Sequence, residues 1–271
     1  MPYESSIIPL LEAIYDTFTP VERSIADFFI KNRKETDFSA KHIAQLLFTS
    51  EATLSRFAKK CGFQGYREFI YRYQDSVRPE KRILNGSAEH ILDTYQELLN
   101  KSYDLVDEEK MQRISKLLTT KRRVFLYGKG SSGLVAQEIK LRFMRIGVDA
   151  EAITDNHIMR INAVMLRSDC LVIGISVSGK TEEILTAVGE AKRRGAATVM
   201  ITSHARRELQ QICDEVLLIP VKEHLEYGNV ISPQFPVLIM VDLLYACFLQ
   251  YDKLNKEVLY DYTLHKLRDD I

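Results

Sequence analysis

The chain has 271 residues, of which 46% are hydrophobic and 27% charged, and its 37 basic and 37 acidic side chains give a formal net charge of zero. That length accommodates two modest domains or one large one, and the composition is that of a globular protein. Zero net charge excludes a global electrostatic case for nucleic acid, so any phosphate-binding face has to be local. Cys61, Cys170, Cys213 and Cys247 are widely scattered with no CxxC. They read as reduced thiols rather than a disulfide frame or a zinc site. No HExxH spacing occurs, and neither a metal nor a cofactor is expected. The opening MPYESSIIPLLEAIYD carries acids and lacks the basic stretch of a signal peptide. The longest apolar run, FPVLIMVDLLYACFL, is interrupted by Asp242 and is short for a membrane span. A cytoplasmic chain without a membrane partner is expected.

The first predicted helix begins at Thr19-Pro20-Val21-Glu22, where Thr19 caps, Pro20 suits the first helical position and Glu22 completes a capping box. Val21, Ile25, Phe28 and Phe29 share one face of a helix running to about Asn32. A second start lies at Ser39, with Ile43, Ala44 and Leu47 inward. A third lies at Ser50, with Ala52, Leu54 and Phe57 as apolar positions, and Cys61-Gly62 ends it. Two short helices joined by a few residues, Phe48 and Thr49 among them, have the geometry of a helix-turn-helix. Charge separates along this region. Residues 1–38 hold four bases and seven acids, whereas residues 39–78 hold seven bases (Lys41, Arg56, Lys59, Lys60, Arg67, Arg72, Arg78) against three acids. A helical dimerisation or docking domain with a solvated charged face is the alternative. The outward positions of the third helix are Ser50, Glu51, Thr53, Ser55, Arg56 and Lys59, small polar groups and bases suited to a DNA groove.

The stretch SAKHIAQLLFTSEATLSRFAKKCGFQGYREF resembles the N-terminal helix-turn-helix of the RpiR/MurR family of bacterial transcription regulators. The resemblance is carried by S-x-A-T-hydrophobic-x-R-F at 50–57 followed by G-F-x-G-Y-x-E-F at 62–69. It departs at Thr49 and Leu54, where the family favours valine.

Pro79 and Asn85-Gly86-Ser87 mark a boundary, giving an expected division into 1–78, a linker and connecting helix over 79–118, and 119–271. Ile91–Leu118 reads as one helix, with Leu92, Tyr95, Leu98 and Leu99 at helical spacing. From Arg123 the pattern alternates: strand VFLYG (124–128), helix 131–147, strand CLVIGIS, helix 181–195, strand ATVMITS (197–203), helix RELQQICD and a fourth strand EVLLIP (215–220). Such alternation predicts an α/β doubly wound domain with a mainly parallel sheet, behind an all-α helix-turn-helix domain. Ligands of such sheets bind beyond the carboxyl ends of the strands, where GKGSSG and SVSGKT lie.

Each of these loops leads into a helix N-terminus, which favours an anion, and serine and threonine hydroxyls add neutral donors. Ser131 and Ser132 from the first loop, with Ser176, Ser178, Gly179 and Thr181 from the second, read as a phosphate cradle without a metal. Neither loop is read as a nucleotide motif, and ATP and NAD are discounted. Helix capping by Ser178 and Thr181 is the bland alternative. Glu182 and Glu183 would repel a phosphate they faced, so they are expected to point away.

GKGSSG, ISVSGKTEE, MITSHARRELQQICDEVLLIP and the closing ISPQFPVLIMVDLLYACFL resemble the SIS (sugar isomerase) domain, departing where Pro233 and Pro236 bracket Gln234. The resemblance implies a bound phosphosugar, with Ser131, Ser132, Ser176, Ser178 and Thr181 on its phosphate. A phosphosugar isomerase is the rival function, with His157, His204, His224, Glu223 and Glu226 as candidate bases. No pair of them has dyad spacing. The two resemblances together imply a transcription regulator of carbohydrate metabolism rather than an enzyme, with operator DNA and a phosphosugar effector as partners. A homodimer or homotetramer is expected, joined through the SIS half and the Ile91–Leu118 helix.

Overall fold

The computed structural model describes residues 7–32, 36–77, 86–204, 207–222, 231–251 and 253–268. The chain forms two compact units, Met1–Ile83 and Leu84–Ile271.

The first unit contains α1 (Ile7–Ala13), a 3-10 turn (Tyr15–Thr17), α2 (Pro20–Lys31), α3 (Ala40–Leu46), α4 (Glu51–Lys60) and α5 (Tyr66–Val77). Its helix starts follow the hydroxyl chemistry of the sequence. Thr19 and Glu22 make a reciprocal capping box on α2, Ser39 caps α3 and Ser50 caps α4. Ile25, Phe29, Ile43, Leu54 and Phe57 are fully buried with Phe69 and Tyr73 of α5. Two positions depart from expectation. Val21 and Ala52 are exposed, and Ala26 and Ala58 face the core in their place. Val21 lies one turn before Ile25, at the edge of the apolar stripe, where small rotations decide burial, whereas Ala52, two residues from Leu54, falls on the opposite face of α4.

The second unit opens with α6 (Ser87–Leu105) and α7 (Glu108–Thr120). The single helix expected over Ile91–Leu118 is thus two, because Asp107 caps a new start by accepting from Lys110 N–H at 2.9 Å. Then come β1 (Arg123–Gly128), α8 (Ser131–Met144), β2 (Ala150–Ile153), α9 (Asn156–Met165), β3 (Cys170–Ile175), α10 (Glu182–Arg193), β4 (Ala197–Thr202), α11 (Arg207–Ile212), β5 (Glu215–Leu218), α12 (Gln234–Gln250) and α13 (Lys253–Arg268). β2 and α9 are absent from the sequence reading, so EVLLIP is the fifth strand and not the fourth. The five strands are parallel, in the order β2-β1-β3-β4-β5.

Alternation along each strand divides the core in two. Val124, Leu126, Leu171 and Ile173 pack under α7, α8 and α12, whereas Phe125, Tyr127, Val172 and Met200 pack under α9, α10 and α11. The result is a three-layer, doubly wound unit. The order reverses between β1 and β3, which opens a crevice at their carboxyl ends. Pro233 and Pro236 fall at the N-cap and in the first turn of α12, where a missing N–H removes no helical bond. Part of the expected 79–90 linker, and Glu223, His224 and Glu226, lie outside the described residues.

Candidate ligand cradle and nucleic-acid interface

Both hydroxyl loops lie at the switch point, since GKGSSG follows β1 and SVSGKT follows β3. Their helices begin in a distinctive way. Thr19, Ser39, Ser50, Asp107 and Asp155 each satisfy the first turn of their own helix with a side-chain oxygen. At α8 the N-cap is Gly130 and at α10 it is Thr181, and neither makes a side-chain cap. No N-cap side chain therefore engages the first N–H groups of either helix, and at α10 the Glu183 N–H meets its own carboxylate, leaving the others to a ligand or to water. α6 and α12, capped by Gly86 and Pro233, share the lack but begin elsewhere in the fold.

The hydroxyls are held by one another. Ser176, buried at the end of β3, places its Oγ 2.9 Å from Thr181 Oγ1. Ser178 Oγ accepts from Lys180 N–H at 3.3 Å, and Thr181, though at the N-cap position, makes no side-chain bond to the first turn of α10. Gly179 has φ +62, and its N–H donates to Ser176 O at 3.0 Å. A β-carbon there would lie 2.8 Å from Thr202 Oγ1, so β4 sets the height of the loop. Ser131 and Ser132 are half-buried in the first turn of α8. In the first loop Gly128 is fixed by close approach, since its β-carbon would meet Ser132 O at 2.4 Å.

Glu183 turns to a partner that no local pattern announces. It pairs with Lys129 of the other loop, 54 residues away, and this hydrogen bond holds its carboxyl below its ordinary pKa. The pair ties the two loops together and neutralises the one half-buried acid in the first turn of α10. Glu182 is exposed. Of the two candidate bases among the described residues, His157 and His204, both are exposed, and His204 is the one beside Gly179, with Nδ1 2.8 Å from Ser203 Oγ. Open concavities of about 780 Å³ along α10 and α11, and about 540 Å³ among α8, α12 and α13, do not include the loop serines. Gly179 lines the larger one.

The letters of both loops fit nucleotide-binding patterns, which corrects the expectation that they do not. Gly128, Gly130 and Gly133 have G-x-G-x-x-G spacing, and Gly174 stands five residues before Gly179-Lys180-Thr181. Geometry separates the second from a P-loop. Gly174 and Ile175 are paired strand residues, Gly174 lying between Tyr127 and Met200, so six residues of loop remain instead of eight. After β2, Asp155 stands where a dinucleotide fold places its ribose-binding acid, and it accepts from Ile158 N–H at 2.9 Å as the cap of α9.

In the first unit, the residues predicted to face DNA lie on α4 or at its cap. Glu51, Arg56 and Lys59 are exposed, and Arg56 Nη2 donates to Thr53 Oγ1 at 3.3 Å. Thr53 Oγ1 is in turn 2.8 Å from Ser50 Oγ, which accepts from Thr53 N–H at 3.1 Å. A cap, a threonine and an arginine therefore form one chain along the helix. Ser55 is half-buried, its Oγ facing Gly65. Lys60 turns away to Glu22 and Thr17 O, while Lys41, Arg67 and Arg72 are exposed.

Residues 6–80 match the model of the helix-turn-helix domain of the rpiR family, and residues 117–245 match the SIS domain. An uncharacterized HTH-type transcriptional regulator of Haemophilus influenzae is 30% identical over 265 residues, covering 92% of both chains. The chain belongs to the RpiR family of HTH-type transcriptional regulators. The RpiR regulator of Escherichia coli is 26% identical over 269 residues, covering 95% of this chain and 90% of its own. Among solved structures, Vibrio vulnificus NanR complexed with ManNAc-6P superposes with a TM-score of 0.64 at 22% identity, over 98% of this chain and 99% of its own. The sugar isomerase domain of an RpiR transcription factor from Sphaerobacter thermophilus gives 0.60 at 21% identity, over 66% of this chain and 98% of its own. These likenesses fix the fold as a helix-turn-helix unit followed by a SIS unit. The RpiR-family relatives are named as regulators and not as enzymes. Among the described residues no group of three or more His, Cys, Asp or Glu could hold a metal, and no single helix is long and apolar enough to cross a membrane.

Proposed function

We propose that this regulator binds a phosphosugar at the β1–β3 switch point and that the bound sugar sets its affinity for operator DNA upstream of carbohydrate-metabolism genes. The observation that carries the reading is that two helices without side-chain caps, α8 and α10, start from the ends of neighbouring strands on opposite faces of the sheet, with hydroxyl loops joined by Lys129–Glu183 and no unpaired half-buried acid. Such a site offers neutral donors and two positive dipole ends to a phosphate. Ser131, Ser132, Ser178, Gly179 and Thr181 are the contacts, and Ser176 acts through Thr181. The structural relative complexed with ManNAc-6P, a phosphosugar, supports the ligand class.

On DNA, α4 lies in the major groove, with Arg56 and Lys59 reaching the duplex and Glu51, Thr53 and Ser55 beside them. Ser50 fixes the helix end. The division is 1–78 for DNA, 79–118 as the connecting segment and 119–271 for the sugar, with α7 built into the core of the sugar unit. The protein works in the cytoplasm as a homodimer or homotetramer, since one helix-turn-helix reads too few base pairs for an operator. An exposed stripe on α6, Leu92, Leu99 and Tyr103 at i, i+7 and i+11, supports assembly there. The effector acts by favouring one arrangement of the paired DNA-binding units.

The test is a footprint on DNA upstream of the protein's own and adjacent genes, with and without a panel of phosphosugars. A protected two-fold site that one sugar strengthens or erases is expected. No protection even at low salt would refute the reading and favour an isomerase.

A further inference from the structure

α3 ends in a Schellman motif. Thr49 N–H donates to Ala44 O at 2.9 Å and Phe48 N–H to Gln45 O at 3.2 Å, with Phe48 in the left-handed region at φ +51. Three other helices close with the same pair of bonds: α4 at Gly62, α8 at Gly147 and α10 at Gly195, with φ of +93, +90 and +89. Those three place glycine at the left-handed position. Only Phe48, among the described residues, puts a β-carbon there. A left-handed β-carbon crowds the following carbonyl, and the strain grows with side-chain bulk.

The ring gives the fold nothing to offset that strain, because Phe48 is 97% exposed. Residues held in strained backbone conformations cluster where a protein meets its ligand. Position selects that ligand. Phe48 lies two residues before Ser50, the cap of α4, and in a helix-turn-helix the N-terminal end of the second helix is what meets base edges. The neighbouring hydroxyls of Ser50 and Thr53 are engaged with each other. Against a base edge in the major groove, the apolar feature that suits an aromatic ring is the thymine methyl group.

We propose that Phe48 is a specificity-determining DNA contact whose ring packs on a thymine methyl beside the N-terminus of α4. The proposal rests on the placement of α4 in the major groove. A duplex selected from a random library by the full-length protein serves as the probe, titrated by fluorescence anisotropy. Each thymine is replaced in turn by deoxyuridine, which removes only the methyl. The wild-type protein is expected to lose about fourfold in affinity at one thymine per half-site, the effect of one buried methyl group. Phe48→Gly is expected to melt several degrees higher, to bind the selected duplex more weakly by a similar factor, to ignore that uracil and to keep its affinity for a non-cognate duplex.

A Phe48→Gly protein that is more stable and binds the selected duplex as tightly as wild type overturns the proposal. A smaller assembly by light scattering with unchanged DNA affinity also overturns it, and assigns the ring to a protein contact. A lower melting temperature places the ring in the fold, with the same consequence. Arg56→Ala separates the two layers of the reading. If Arg56→Ala weakens binding and Phe48→Gly does not, α4 stays in the groove and only the Phe48 assignment falls. If neither weakens binding, both fall.

Discussion

Gly179→Ala tests whether the ligand cradle is as rigidly built as its contacts indicate. Two effects act together at this position. At φ +62 an L side chain is strained by about 1–2 kcal/mol. The new methyl would also lie 2.8 Å from Thr202 Oγ1, and overpacking of that kind costs about 1–3 kcal/mol. Thr202 is fully buried, and its hydroxyl lies between Val177 O and His204 N–H, so it has little room to move. Gly195→Ala is the control. It too has a positive φ, at +89, but its β-carbon would come no closer than 4.0 Å to Ser168 Cβ. In a unit of this size 1 kcal/mol shifts the melting temperature by roughly 2–4 °C. Gly195→Ala is therefore expected to melt about 2–8 °C below wild type and Gly179→Ala further below, by about 4–20 °C, in differential scanning calorimetry. Equal decreases for the two variants would show that Thr202 yields freely, and would refute a loop height fixed by β4.

Other predictions follow from the same contacts. Lys129→Gln leaves Glu183 facing the cradle without its partner and is expected to weaken phosphosugar binding several-fold by calorimetric titration, whereas Glu183→Gln is not expected to weaken it. Because pairing with Lys129 depresses the Glu183 carboxyl, the contribution of the pair to stability is present above the unfolded carboxylate pKa and is lost as pH falls through the folded one. The pair is partly exposed, so the wild-type excess over Glu183→Gln in an acid melting series is small and disappears at low pH. Burial pushes the Cys61 thiol up to about 12 and the Cys213 thiol up to about 11, and Cys170 is also buried. A thiol reagent at neutral pH is expected to modify Cys247 in the native protein and all four cysteines after denaturation. Arg56→Ala is expected to weaken operator binding by at least ~1 kcal/mol, and unchanged affinity would remove α4 from the groove.

Much of this architecture was legible in the sequence, because local chemistry and tertiary structure agree there. Thr19, Ser39 and Ser50 announce helices that form, and the β1, β3 and β4 strands are apolar runs buried on both faces. β2 was not legible: it is a four-residue edge strand, AEAI, with a single β-branched residue. The α6–α7 break was masked by apolar spacing that runs through it, although Asp107 with two acids behind it is a start signal. The Lys129–Glu183 pair spans 54 residues and exists only because β1 and β3 are neighbours. The loops discount a nucleotide for a reason other than their letters: Gly174 does complete a P-loop spacing, but it lies inside a strand, which spacing alone does not reveal. Phe48 gave no sign of its backbone conformation, because glycine is what normally advertises a left-handed residue.

The central claim is that a phosphosugar in the β1–β3 cradle controls DNA binding. Its most direct test is the operator affinity of wild type and Ser178→Ala, titrated by anisotropy at fixed salt with and without each phosphosugar of a panel. One sugar is expected to change the wild-type affinity by about fivefold or more. Ser178→Ala is expected to bind the operator as wild type does and to ignore that sugar. A full response from Ser178→Ala, or no response of the wild type to any phosphosugar, would contradict the account.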